Sequence, residues 1–302
     1  MQSERANNPT ESTAIVGMVP DQVEAVGKLV YEAFRDVAIR HGFKPIYESL
    51  DFATLHMRNL SRREGFTSFV AIEGGQPLAV NFLDQRNDIA GVGPVAVGVE
   101  HQGRGLGRMV MEALLEQAEV SGFQSVRLLQ TAYNMVSFSL YCRLGFDAKE
   151  EIAFLRGRPP DDERTVGAIR ECTPQDLDAL DDLSLDVLGF RRRGDVKTIM
   201  PFVRPLVVER EGRLVGFVCR FPTPSGILMG PAVARDEEAL KDLIVGAARL
   251  APGDLRPVVP VSCPSLLRWA LQAGFSLSEL GTLMVRGTYE APAGASMPSI
   301  WY

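Results

Sequence analysis

No two of the four cysteines in this 302-residue chain lie close enough in sequence to suggest a metal site or a redox pair. Cys142, Cys172, Cys219 and Cys263 are scattered, without CxxC or metal-ligand spacing. Reduced thiols in a cytoplasm follow from that pattern, and no metal is expected. An apolar run of membrane-spanning length is also missing. The polar first dozen residues lack the basic region and apolar core of a secretion signal, and residues 1–12 read as a disordered start. Excess positive charge is absent too. A formal net charge of -6 argues against nucleic acid or an anionic membrane as the main partner, while leaving a basic acceptor open. Neither the Gly-Lys-Ser/Thr of a nucleoside triphosphate loop nor the G-x-G-x-x-G dinucleotide fingerprint occurs at the one glycine-rich loop.

That loop is Gln102-Gly103-Arg104-Gly105-Leu106-Gly107, between a strand-like apolar run, residues 89–99, and a helix-like one. Three glycines in five positions allow positive φ angles and let consecutive N–H groups converge on an anion. A following helix adds its own unpaired N–H groups and the positive end of its dipole. Leu106, Val110, Leu114 and Ala118 recur every fourth residue, as one buried helix face requires. Arg104 and Arg108 place charge beside the loop. On its own, the segment reads either as a phosphate loop or as a plain Gly-rich turn.

A second cluster follows. Residues 123–130 suit a buried strand, and residues 134–144 a short helix ending at Gly145. The helix carries Asn134, Ser137, Leu140 and Tyr141, followed by Gly145-Phe146. Strand, glycine loop, helix, strand and Asn-x-x-Ser-x-x-Leu-Tyr-x-x-x-Gly-Phe, in that order and spacing, resemble the GNAT superfamily of acyl-CoA-dependent N-acetyltransferases across residues 92–146. The elements before the loop keep the same order. A strand over residues 13–19 is followed by a helix from Pro20-Asp21 to about residue 40 and another over residues 50–62. A hairpin then turns at Gly74-Gly75 between strands 66–73 and 77–83.

The resemblance implies an α/β (α+β) fold whose central sheet is mixed and mostly antiparallel, with flanking helices. It also implies roles. Amides of Gln102, Gly103, Arg104, Gly105, Leu106, Gly107 and Arg108 would hold the CoA pyrophosphate. Free backbone groups around Val97 and Val99 would hold the pantetheine arm, with the Val97 amide facing the acetyl carbonyl. Asn134 and Ser137 would line the CoA site, although Asn at a helix start is also an ordinary N-cap. Tyr141 matches the general acid that protonates the departing thiolate. The base is open: Asp88 is the leading candidate, beside Glu73, Asp84 and His56.

At this length two domains are expected, and the pattern restarts after a charged, Pro-Pro-containing linker at residues 156–165. Glu211-Gly212 and Gly230-Pro231 echo Gly74-Gly75 and Gly93-Pro94, both at an offset of 137 residues. The echo then fails. Arg235-Asp236-Glu237-Glu238 replaces the glycine loop with carboxylates, and Ala270 stands where an offset of 129 residues would put Tyr141. Residues 13–155 are therefore read as a catalytic domain, 166–288 as a degenerate repeat and 289–302 as a tail, with one acetyl-CoA site per chain. Phe43 and Tyr47 are candidates for an acceptor pocket, residues 190–194 for an acidic acceptor, and the apolar end 300–302 for docking in a groove. The resulting expectation is transfer of an acetyl group from acetyl-CoA to a small-molecule amine. A non-catalytic acyl-CoA-binding regulatory module is the alternative, and hydroxyl acylation or another acyl donor also fits. Either a pseudo-dimeric monomer or a homodimer is compatible with the repeat.

Overall fold

The computed structural model describes residues 12–161 and 163–299. Apart from residue 12, the expected disordered start lies outside the described residues, as does the tail end 300–302. The first half runs β1 (Ala14–Val16), a 3-10 turn, α1 (Val23–Arg40), α2 (Leu50–Arg62), β2 (Phe66–Glu73), β3 (Gln76–Asp84), β4 (Ala90–Val92) and β5 (Ala96–Val97). A second 3-10 turn (Val99–His101) leads into α3 (Leu106–Val120), β6 (Ser125–Thr131), α4 (Met135–Arg143) and β7 (Asp147–Arg156). The second half runs β8 (Ala168–Glu171), α5 (Leu177–Leu188), α6 (Arg193–Ile199), β9 (Leu206–Arg210), β10 (Arg213–Thr223) and β11 (Gly226–Ala234). It closes with α7 (Glu237–Leu250), β12 (Leu255–Pro260), α8 (Pro264–Gln272), β13 (Ser276–Gly287) and β14 (Ala295–Met297). No helix among the described residues is long and apolar enough to cross a membrane.

The chain forms two compact units, and neither coincides with a half of the sequence. Among the described residues, one holds 12–82 together with Pro94–Gln117; the other holds Leu83–Gly93 with 118–161 and 163–299.

In the first unit β1 pairs antiparallel with β2, β2 with β3, and β3 with β5 through Ala79↔Val97 and Val80↔Ala96. The β2–β3 turn puts Gly74 and Gly75 at φ 57° and 77°, the left-handed pair that a two-residue hairpin needs. Helix α3 lays Leu106 and Val110 on Ala71, Leu78 and Ala79. Beneath it the fully buried Asn81 donates from Nδ2 to the Val110 carbonyl at 2.9 Å. Helices α1 and α2 cross where Gly27 meets Thr54; a Cβ on Gly27 would lie 2.7 Å from the Thr54 Cα. The N-cap of α2 is Ser49, whose Oγ accepts from the Phe52 amide at 3.1 Å.

The second unit is built on strand exchange between the sequence halves. β13, from the second half, pairs antiparallel with β6 from Gly281↔Thr131 to Gly287↔Ser125, and with β7 on its other side. β7 in turn pairs with β12, so each half places its strand after α4 or α8 within the other half's sheet. Beyond β12 the order continues β11, β10, β9, β8. Helices α4 and α8 span residues with the same 129-residue offset seen in the sequence.

One strand expectation is corrected. Residues 89–99 do not form one strand, because Gly93 at φ 140° and Pro94, which has no N–H for a ladder, separate β4 from β5. The expected linker is tied down at both ends. Arg158 donates to the carbonyls of Ala251 at 2.8 Å, Gly253 at 3.2 Å and Ala248, at the C-terminal end of α7. The fully buried Asp242 accepts from the amides of Val166 and Gly167 at 3.0 and 2.8 Å.

Candidate active site

In the first unit the glycine loop is an exposed turn at the head of α3. Gly103 and Gly105 adopt φ 79° and 83°, and a Cβ on either would meet no atom within 4 Å. Conformation, and not space, therefore calls for glycine there. The first bond inside the helix runs from Met109 N to Gly105 O at 3.1 Å. The amides of Leu106, Gly107 and Arg108 precede it and have no carbonyl to reach within the helix, so they face out of its positive end.

Side chains around the loop pair with carboxylates. Arg104 Nη2 bonds Glu73 Oε2 at 2.6 Å and Arg108 Nε bonds Glu112 Oε1 at 2.7 Å. The Arg104 hydrogen bond, followed by one from Thr13, holds the Glu73 carboxyl below its usual range. Both ion pairs are solvent-exposed and therefore weak; a dianionic phosphate at the helix end can compete with them.

Val97 ends β5, five residues before Gln102. Gly98 N donates to Leu78 O at 2.9 Å, which makes Val97↔Ala79 the non-hydrogen-bonded pair of the ladder. The Val97 N–H and C=O thus point away from β3. Gln102 Nε2 reaches the Val97 carbonyl at 3.5 Å. Val99 is off the strand, in the 3-10 turn, with its side chain exposed.

Asn134, Ser137 and Tyr141 come together on α4 in the second unit. Asn134 is the N-cap and accepts from the Ser137 amide at 3.2 Å. Tyr141 is one turn beyond Ser137 and is buried, 6.0 Å from the Phe146 ring. Burial pushes its phenol up to about 12, partly offset by a hydrogen bond with Ser137. The proton therefore stays on the ring through neutral pH.

The base candidates from the sequence are already engaged. Asp88 Oδ2 accepts from the Arg191 amide at 2.9 Å and its guanidinium at 3.5 Å. Asp84 is clamped by Arg86 at 2.5 and 2.8 Å. Half-buried His56 lies 2.9 Å from the Tyr47 hydroxyl, and desolvation followed by the Arg63 charge lowers its pKa to about 3. Tyr47 itself is a core side chain, edge-on to Phe34 at 5.2 Å. In the basic run, Arg191 pairs with Asp88, Arg192 with Asp195, and Arg193 with Asp178 and Asp181.

A carboxylate the motifs did not flag is Glu279, brought beside the β6–α4 turn by β13. Its Oε2 is buried with no hydrogen-bond partner among the described residues. Burial raises its carboxyl to about 7 against an opposing effect from Arg256. Such a group binds its proton more tightly folded than unfolded. Stability should then fall as pH rises from the ordinary carboxylate range to about 7, and stay lower above it. Thermal melts of Glu279→Gln should lose that fall, gaining at most on the order of 3 kcal/mol at pH 8 relative to wild type. Equal pH dependence in the two proteins would refute the burial argument.

The second half blocks each feature of the first. Asp236 caps α7 by accepting from the Ala239 amide at 2.7 Å, and Glu237 Oε2 accepts from Leu266 N at 2.6 Å. β14 pairs with β11 over Ala232↔Met297, Val233↔Ser296 and Ala234↔Ala295, occupying the strand edge that corresponds to β5. Ala270 is fully buried at the Tyr141 position. A cavity of about 390 Å³ lies nearby, lined by Arg127, Phe190, Cys263 and Tyr289 among others, and by none of the predicted site residues.

Comparison with known proteins agrees with this doubled arrangement. Residues 26–146 match the Acetyltransferase (GNAT) family and residues 182–296 match an Acetyltransferase (GNAT) domain. An uncharacterized N-acetyltransferase of Methanocaldococcus jannaschii is 24% identical over 153 residues, 48% of this chain and 65% of that protein. Among solved structures, a candidate acetyltransferase from Pyrococcus horikoshii superposes with TM-score 0.74 at 16% identity, covering 99% of both chains. A GCN5-related N-acetyltransferase from Sphaerobacter thermophilus gives 0.64 at 16% identity, covering 92% of this chain and 96% of that one. At these identities the structural likeness speaks for the fold alone. With one matching domain in each half, the chain belongs to the GNAT acetyltransferase family as a tandem-domain acyltransferase.

Proposed function

We propose that this chain transfers an acetyl group from acetyl-CoA directly to the primary amine of a small molecule, using one CoA site per chain in the first half. The observation that carries the reading is the outward-facing amide run at the head of α3. It follows left-handed Gly103 and Gly105, and its counterpart in the second half is capped by Asp236.

In this reading the amides of residues 102–108 hold the pyrophosphate, with Arg104 exchanging Glu73 for a phosphate oxygen. Val97 and Val99 flank the pantetheine, and the Val97 amide, turned away from β3, donates to the acetyl oxygen as it becomes an oxyanion. Asn134 and Ser137 border the arm, and Tyr141 returns a proton to the sulfur. Asp88 is the sequence-derived candidate for the base. The acidic balance of the chain suits a cationic small amine over an acidic acceptor, and the free thiols fit a cytoplasmic setting.

Titration calorimetry with acetyl-CoA tests this. One equivalent should bind per chain, and Gly105→Val should weaken binding at least tenfold, because a β-branched residue resists φ near +80°. Gly105→Asn, which tolerates that conformation, should retain most of the affinity. Absence of acetyl-CoA binding by the wild type would overturn the reading.

A further inference from the structure

We infer that the cavity of about 390 Å³ in the second unit is a binding site for a small organic acid, a single carboxylate on an apolar body. The inference stands apart from the acetyltransferase reading. Every lining residue, from Arg127 to Pro298, belongs to that one unit, and none is assigned to CoA.

The walls are fixed by backbone contacts. After β13 the chain returns past α5, where Ala293 N donates to Val187 O at 2.8 Å, and then enters the sheet as β14 beside β11. Gly294 makes that entry at a distance no side chain permits, because a Cβ there would lie 2.6 Å from the Ala234 carbonyl oxygen. Buried Ala295 and Met297 thus close one side, while exposed Ser262, Ala291 and Pro292 mark the mouth. The volume falls in the range of roughly 300–1,000 Å³ usual for small-molecule sites. Ile152, Leu188 and Leu283, all buried, make the interior apolar.

Two guanidiniums give the chamber its charge. Arg127 and Arg192 line it and are only 8% and 2% exposed. Both lie over the Phe190 ring, at 4.5 and 5.7 Å from its centroid, and Arg127 is also 5.3 Å from that of Tyr289. Charge buried in this way is costly unless an anion meets it. Asp195, 2.8 Å from Arg192, is divided with Arg86 at 3.0 Å, and Arg127 Nε donates to the neutral Ser125 hydroxyl at 3.2 Å. The acidic side chains of the wall are offset by helix ends instead. Asp236 accepts from the Ala239 amide at the head of α7. Glu237 and Glu150 accept from the Leu266 and Ser262 amides, at 2.6 and 3.1 Å, around the head of α8. The third lining cation, Arg235, pairs with exposed Asp186 at 2.7 Å. An entering ligand therefore meets two ring-stacked guanidiniums in an otherwise apolar chamber. A carboxylate suits them, since a planar guanidinium binds it through two charge-assisted bonds, and an aromatic ring or short aliphatic chain fills the remainder.

Calorimetry on the full chain with phenylacetate, hexanoate, phenylacetamide and inorganic phosphate tests the site, with thermal melts of each variant alongside. One equivalent of phenylacetate or hexanoate should bind per chain. Phenylacetamide, which keeps the body and loses the charge, should bind about tenfold more weakly than phenylacetate, or worse. Phosphate, which keeps the charge and loses the body, should also bind more weakly. Arg127→Met should reduce carboxylate affinity by about tenfold or more, and Arg127→Lys by less. Ser262→Trp places bulk at the exposed mouth, so it should weaken binding comparably without lowering the melting temperature; it decides the matter if Arg127→Met does not fold. Binding of neither carboxylate would overturn the inference. So would equal affinity for phenylacetamide, tighter binding of phosphate, or carboxylate binding that Ser262→Trp leaves unchanged.

Discussion

Replacing Tyr141 with Phe should lower kcat for acetyl transfer by two to three orders of magnitude, the usual contribution of a positioned general acid, with acetyl-CoA affinity within twofold of wild type. The phenol is buried and its proton is held up to about 12, which by itself would make it a reluctant donor to an exposed thiolate. A thiolate released into a buried slot is similarly disfavoured: burial pushes the Cys172 and Cys263 thiols of this chain up to about 11. Desolvation that disfavours the thiolate as it disfavours the phenolate keeps donor and acceptor close enough for proton transfer. A raised phenol pKa also fixes a sign. The acid form persists as pH rises, so no alkaline loss of activity below about pH 11 should be traceable to Tyr141. Removing the hydroxyl also removes its hydrogen bond with Ser137, with a stability change of about 1 kcal/mol. A steady-state comparison across an amine panel decides the matter, and an unchanged kcat would remove Tyr141 from the mechanism.

Local signals were the most legible part of the chain. The helix read over residues 50–62 is α2, found at those residues, and the 129-residue offset that sets Ala270 against Tyr141 reappears in helices α4 and α8. The hairpin at Glu211-Gly212 was readable because the turn demands left-handed residues, a constraint within four positions. The break between β4 and β5 was missed because the apolar run continues through Gly93-Pro94, and hydropathy does not register a missing N–H. Strand partners are a different kind of information. Nothing in the residues of β13 specifies that its neighbours are β6 and β7 instead of strands of its own half. Glu279 consequently carries no motif: its neighbourhood is created by pairing between residues about 130 positions apart. β14 escaped for the same reason, since three residues of a tail reveal nothing of the edge of β11 they cover.

The exchange has a direct consequence for the first half expressed alone. A fragment ending at residue 160 retains the glycine loop, Asn134 and Tyr141, and with them every group assigned to CoA. Its strands β6 and β7 are not neighbours in the full chain; β13 lies between them, paired with β6 over seven residue positions from Gly281↔Thr131 to Gly287↔Ser125. Without β13 both strands present open edges, and the apolar residues of β7, Ile152, Ala153 and Leu155, all buried in the full chain, lose their cover. Unpaired edges of this kind promote association with other chains. The fragment should therefore be recovered as aggregate or oligomer, without a cooperative thermal transition and without acetyl-CoA binding. Co-expression with residues 161–302 should restore a soluble complex, because the second fragment supplies β13 and receives β7. A monomeric fragment that melts cooperatively and binds acetyl-CoA would mean that β7 can close on β6 directly. The exchange would then be dispensable for folding, and any contribution of the degenerate half would be confined to the side chains it delivers.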